Sequence, residues 1–392
     1  MKILYINHEY PPIGGGGATA CKNMSEEYVQ LGNQVTVLTA SYQNLPREEW
    51  INGVHILRVP CKRKYQDHST FFEMLSYLLA AFREVDSVMQ QEQFDVAHIF
   101  FGIPSGPLGL YLYAKYNLPY LIEVGGGDIP GAQKRFTAVY KIISPVLKQI
   151  WRKASHVVLN SQGLLKRAQT FSDQANFVVI PNGIKSDWME KSEANLEKPS
   201  EIFSLCTTAR IIEGKGIQHI IRLLPALAQK LDGKLHYTII GDGPYRETLE
   251  EMARQLQVQD YLTFTGFLPH EAIPEILAQN DVFVFPSYSE GMANTVLEAM
   301  GAGLPVIMTS CEGSTELVTD NGFIVQLSEN IEEQFLQKIL YLYANPKKKY
   351  EMGKNGRIRA KQEFTWEKNA HAHLELFEEM IMSKTCLSGG NK

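Results

Sequence analysis

The chain has little that would tie it to a disulfide framework, a membrane or a nucleic acid. Cysteine is scarce, five in 392 residues. Cys21, Cys61, Cys206, Cys311 and Cys386 show no Cys-x-x-Cys spacing, which argues for a reducing compartment and against a zinc site. Positive charge is not in excess: the net charge of −5 gives no reason to expect nucleic acid as a partner. Long apolar runs are missing as well. The longest uncharged stretch, 96–114, is broken by Pro104 and Pro107, so it reads as strand, loop and helix start and not as a membrane span. The apolar start, 1–6, is a strand too short for a signal peptide. No solenoid-length repeat or low-complexity tract occurs, and Lys347-Lys348-Lys349 reads as a solvated helix face. The expectation is a cytoplasmic protein that can still touch the inner face of a membrane.

Hydrophobic residues at 44% and charged residues at 21% describe a globular chain. Its length is too great for one ordinary core, so two domains are expected. Strand-like runs at 2–6, 34–39, 54–59, 96–100, 120–124, 156–159 and 177–180 alternate with helical patterns at 18–31 and 71–90. A second alternation has strands at 202–208, 235–240, 262–264, 282–285, 306–308 and 323–325. Such alternation predicts α/β architecture, two Rossmann-like doubly wound parallel sheets with helices on both faces. The boundaries read as 1–184 and 201–365, with the polar stretch 185–200 as linker and a last helix at 366–384.

The strand 281–285 ends at Pro286 and leads to a helix expected from Asn294 to Gly301 or Gly303. Glu290 lies in the intervening loop and Glu298 in the helix's early turns. Between them the backbone N–H groups of Gly291, Met292, Ala293, Asn294 and Thr295 form a helix start, which suits an anion. Two carboxylates around a phosphate-sized hole suggest a polyol diphosphate, with phosphate on the amides and hydroxyls on the acids. Arg210 and Lys215 follow the strand 202–208, where they could neutralise such a ligand. Pro11-Pro12-Ile13-Gly14-Gly15-Gly16-Gly17 follows the first strand, and glycines such as Gly15 and Gly16 let amides approach a phosphate. It is not a dinucleotide loop. Thr19 breaks Gly-x-Gly-x-x-Gly, and the second strand ends Thr39-Ala40-Ser41 without an acid for a ribose.

Glu290 and Glu298, with Pro286-Ser287 before, Leu297-Glu298-Ala299 in the helix and Gly303-Leu304-Pro305 after, resemble the Glu-x7-Glu signature of retaining glycosyltransferases. The resemblance is to glycosyltransferase family 4 (group 1), whose GT-B fold has two Rossmann-like domains facing across a cleft. It implies that the last helix, here 366–384, crosses back to the first domain. Arg210 and Lys215 match its Arg-x4-Lys-Gly element, although Ala209 stands where Gly is frequent. The resemblance implies that both cations bind the donor diphosphate and that Glu298 binds the ribose. It places Glu290 and the amides of 291–295 on the transferred sugar and phosphates, and the glycine loop over the diphosphate from the other domain. Gly241-Asp242-Gly243-Pro244 looks like the family's Gly-Asp-Gly-Pro turn, equally readable as a plain strand-to-helix turn. Thr265 to Pro269, with Leu268, resembles the segment that holds the nucleobase.

One departure lies at Val124-Gly125-Gly126-Gly127-Asp128: Gly125 stands where many relatives have the histidine of His-Gly-x-Asp, and Asp128 remains on the acceptor side. No catalytic histidine is carried over. His98 is a candidate for the acceptor side, against the alternative of a satisfied core histidine, and His8 beside the glycine loop is weighed the same way. Lys62-Arg63-Lys64 with Phe71-Phe72 is either a membrane-facing lobe or a surface loop before an inward-packed helix. The resemblance implies a retaining, metal-independent transfer from a nucleotide sugar, a UDP-sugar first and GDP-mannose second, to a glycan or glycolipid acceptor in polysaccharide assembly. No cofactor and no metal are expected. Alternatives are a sugar-nucleotide epimerase or hydrolase of the same fold, and a non-catalytic nucleotide-sugar-binding subunit.

Overall fold

The computed structural model describes residues 1–129, 137–191 and 201–389. The chain divides into two compact units, Met1–Asn182 with Trp366–Lys392, and Gly183–Thr365.

In the first unit eight strands form one sheet. They are β1 (Lys2–Ile6), β2 (Gln34–Ala40), β3 (Glu48–Ile51), β4 (Val54–Val59), β5 (Val96–Phe100), β6 (Tyr120–Val124), β7 (His156–Leu159) and β8 (Phe177–Val179). Their order is β3-β4-β2-β1-β5-β6-β7-β8, parallel except for the edge strand β3. The five residues of β5 are all buried, as strands covered by helices on both faces must be. The antiparallel edge went unread in the sequence, yet its signal is there. Asn52 and Gly53, both with positive φ (51° and 81°), make the two-residue hairpin turn that joins Ile51 to Val54. The helix Phe71–Gln91 starts at a capping box: the Glu73 amide donates to Thr70 Oγ1, and the Glu73 carboxylate accepts from the Thr70 amide at 2.6 Å. The helix Trp366–Gly389 puts Trp366, Ala370 and Phe377 into the same core as Tyr5, Tyr28 and Val96.

The second unit is an all-parallel six-stranded sheet. Its strands are β9 (Phe203–Thr208), β10 (Leu235–Ile240), β11 (Leu262–Gly266), β12 (Val282–Phe285), β13 (Val306–Thr309) and β14 (Gly322–Val325), in the order β11-β10-β9-β12-β13-β14. The chain leaves β9 toward one edge and returns to β12, β9's other neighbour. The connections after these two strands therefore diverge and leave a crevice at their carboxyl ends.

The expected linker 185–200 needs correction at its start. Residues Ser186–Lys191 are helical, and Trp188 and Met189 are buried in the second unit's core. Arg357 holds this helix by donating to the carbonyls of Met189 (2.9 Å) and Gly301 (2.8 Å). A helix of one and a half turns with two adjacent apolar residues shows no periodicity, which is why its sequence reads as linker. Residues 192–200 lie outside those described.

Candidate functional site

In the second unit Arg210, Lys215 and Glu290 collect beyond the carboxyl ends of β9 and β12, the two central neighbours. Arg210 follows β9, and Lys215 closes a short 3-10 turn, Glu213–Lys215. The next residue, Gly216, has φ +69°, and a Cβ there would stand 2.0 Å from the Pro286 carbonyl oxygen. Only glycine permits that approach. It presses the turn onto the segment after β12, where the Tyr288 amide donates to the Gly214 carbonyl at 3.0 Å. Lys215 is thereby brought to Glu290. Its ammonium is ion-paired with Glu290 Oε1, which also accepts from Ser287 Oγ at 2.8 Å, and it lies 5.6 Å from the centre of the Phe285 ring. Both partners are three-quarters or more buried, so the pair is shielded from solvent.

Glu290 and Gly291 are held from the other side by Gly313, whose amide donates to the Glu290 carbonyl at 3.3 Å and whose added Cβ would meet the Gly291 carbonyl at 1.9 Å. After this loop comes the helix Asn294–Gly301, whose N-cap is Ala293 and whose start no N-cap side chain covers. Gly291 to Thr295 thus present a helix N-terminus beside the Lys215–Glu290 pair. Burial first, then the charges of Glu290 and Glu312, push the thiol of nearby, partly buried Cys311 up to about 12, which disfavours its thiolate.

Gly241 and Gly243 serve the arginine. A Cβ on Gly241 (φ +129°) would lie 2.1 Å from the Ala209 carbonyl oxygen, and one on Gly243 would lie 2.4 Å from that of Ile211. The Gly-Asp-Gly-Pro turn therefore packs backbone to backbone on both sides of Arg210, with the Ile211 amide donating to the Asp242 carbonyl at 2.8 Å. Leu268 packs part-buried against the core after β11, leaving Phe267 exposed.

Glu298 is buried, and its Oε1 lies 2.9 Å from His270 Nε2. His270 was not among the residues expected from the sequence. It follows the Thr265–Pro269 segment, but nothing in a separation of 28 residues announces the pairing. Its ring is 6.1 Å from that of Trp188, on the helix that read as linker.

In the first unit the helix begins at Gly16, two residues before expected, with Gly15 as N-cap. Gly14 needs its glycine for φ +97°, and Gly17 because a Cβ would stand 2.6 Å from the Phe101 ring. At Gly15 a Cβ would meet nothing within 4 Å, so packing gives no reason for glycine there. His98 does not serve an acceptor. It is fully buried in mid-sheet, stacked on Tyr5 at 4.0 Å, and desolvation pushes its pKa down to about 3. His8 is likewise buried, its pKa pushed down to about 4. Asp128 ends a short 3-10 turn, Gly126–Asp128, and its side chain lies outside the described residues. No helix among the described residues is long and apolar enough to cross a membrane.

Two family models match the chain: "Glycosyl transferase 4-like domain" over residues 15–183 and "Glycosyl transferases group 1" over residues 189–359. An uncharacterised glycosyltransferase of Methanocaldococcus jannaschii is 27% identical over 330 residues, 81% of this chain and 83% of that protein. Among solved structures, sucrose-phosphate synthase from Thermosynechococcus elongatus superposes with a TM-score of 0.86 at 20% identity, covering 98% of this chain and all of that one. HepE of Anabaena, solved in complex with UDP and glucose, gives 0.71 at 18% identity over 96% of this chain and 99% of its own. At these identities the structural likeness carries the fold.

Proposed function

Because the chain belongs to the group 1 glycosyltransferases of family 4 type, with the GT-B fold, we propose that it moves a sugar, with retention, from a UDP-sugar to a glycan or glycolipid acceptor. The observation that carries this reading is the Lys215–Glu290 pair at the adjoining ends of β9 and β12, beside the N-terminus of the helix Asn294–Gly301. A buried ammonium held by a carboxylate is poised to exchange that partner for a phosphate. Arg210 and Lys215 then neutralise charge that grows on the diphosphate as it departs, an interaction stronger in the transition state than in the ground state. The amides of Gly291 to Thr295 receive further phosphate or sugar oxygens. Glu298 takes the ribose hydroxyls, and Glu290, released by Lys215, accepts from a hydroxyl of the transferred sugar.

In this reading the bond from the anomeric carbon to the diphosphate oxygen breaks, and the acceptor oxygen bonds to that carbon on the same face. The acceptor's proton passes to the departing phosphate oxygen, so neither a protein base nor a metal is required. HepE's complex with UDP supports the choice of base.

The test is a thermal-shift panel of UDP, GDP, ADP and dTDP on the wild type and an Arg210→Ala/Glu298→Ala double variant. A ligand at a hundredfold excess over its Kd stabilises the binding form by about 2.7 kcal/mol. UDP should raise the wild-type melting temperature and leave the double variant unmoved. No shift with any of the four nucleotides at saturation would overturn the donor site.

A further inference from the structure

We propose that His98, Glu123 and His373 form a structural site for a divalent metal of zinc type inside the first unit. His98 lies on β5, Glu123 on the neighbouring β6, and His373 on the terminal helix Trp366–Gly389. All three are buried, and one ligand atom from each lies within 4.8 Å of the others. His98 Nε2 and Glu123 Oε2 are 3.3 Å apart. Two ligand atoms about 2.0–2.1 Å from one tetrahedral zinc ion stand about 3.3 Å from each other.

The hydrogen bonds around the trio fix an inward lone pair on His373 and permit one on His98. His373 Nδ1 is 2.9 Å from the Asn369 carbonyl oxygen, and a carbonyl can only accept. Nδ1 therefore carries the hydrogen, and in the neutral ring Nε2 presents a lone pair. His98 Nδ1 is 3.3 Å from the Tyr28 hydroxyl, which can accept from it and leave Nε2 free to coordinate. A carbonyl or hydroxyl on the far nitrogen is the arrangement that orients metal-bound imidazoles. His98 Nε2, Glu123 Oε2 and His373 Nε2 have no hydrogen-bond partner among the described residues. Three buried polar atoms that face one another without a hydrogen-bond partner are costly unless something positive sits among them.

Two imidazoles and a carboxylate are a donor set that zinc accepts, with water as fourth ligand. The cysteine spacing that argues against zinc concerns thiolate sites and is silent on this one. The ion would cross-link two central strands to the terminal helix, so its role is structural, and the transfer chemistry proposed above does not use it.

The experiment uses the full chain with a tag free of histidine. Plasma mass spectrometry should find about one zinc per chain. A strong chelator should lower the melting temperature, and added Zn2+ should restore it. Glu123→Gln and His373→Gln should each lose the metal. Wild type with no stoichiometric metal, and a melting temperature indifferent to chelator and Zn2+, overturns the site and assigns the trio a shared proton. Metal retained at full stoichiometry in both variants overturns it equally. The wild-type measurement stands even if a variant fails to fold.

Discussion

Gly216 lies against Pro286 so closely that a Cβ would stand 2.0 Å from the proline's carbonyl oxygen. This contact joins the loop after β9 to the loop after β12, and Lys215 meets Glu290 because of it. In Gly216→Ala the added methyl and the positive φ both act to part the loops. The expected result is a loss of about 1–3 kcal/mol in stability, read by denaturant unfolding. Transfer activity should fall further than stability explains, because Lys215 is displaced.

Lys215→Ala should lower kcat by about a hundredfold or more, the range for removing a preorganised group that stabilises transition-state charge. Donor KM should change far less. Glu290→Gln keeps the shape of the carboxylate but not its charge, and should also act mainly on kcat. Steady-state kinetics over a donor concentration series separate the two constants. A change confined to KM in both variants would contradict the assigned roles.

Glu298 is oriented by His270, 2.9 Å away. His270→Ala should raise donor KM by about tenfold, the order of one hydrogen bond to a charged group, with kcat little changed. His270→Gln should recover part of the loss. Titration calorimetry with UDP gives the binding part directly. Equal affinity in wild type and His270→Ala would remove His270 from the donor site.

His8 makes stability depend on pH with a definite sign. Desolvation, offset by Glu9 and reinforced by Arg63, moves its pKa from 6.5 down to about 4 in the folded chain. Between those values the unfolded chain holds a proton that the native one does not. Stability from this group is complete above pH 6.5 and is lost as pH falls toward 4. The loss approaches about 3 kcal/mol at the lower end, at 1.36 kcal/mol for each pH unit. Urea midpoints across this window should show a shallower slope for His8→Asn than for wild type.

The glycine run divides by position. Gly17→Ala should destabilise by about 1–3 kcal/mol, because its Cβ meets the Phe101 ring at 2.6 Å. Gly15→Ala, with open space at its Cβ, should leave the melting temperature nearly unchanged.

Legible in the sequence alone were the α/β alternation, every strand of the two sheets except the edge strand β3, and the family motifs. Periodicity and turn residues are local, and each is written within a few positions. The Asn52-Gly53 hairpin was equally local and went unread, whereas the helix Ser186–Lys191 was too short to write a period. Tertiary structure alone decided which distant side chains meet. Arg210 is set by backbone contacts from Gly241 and Gly243, Lys215 reaches Glu290 through Gly216, and Glu298 turns to His270. It also sent His98 into the core beside Glu123 and His373, residues 25 and 275 positions away. Such pairings follow from the order of strands in a sheet and from which backbones can touch. Spacing along a single chain does not encode either.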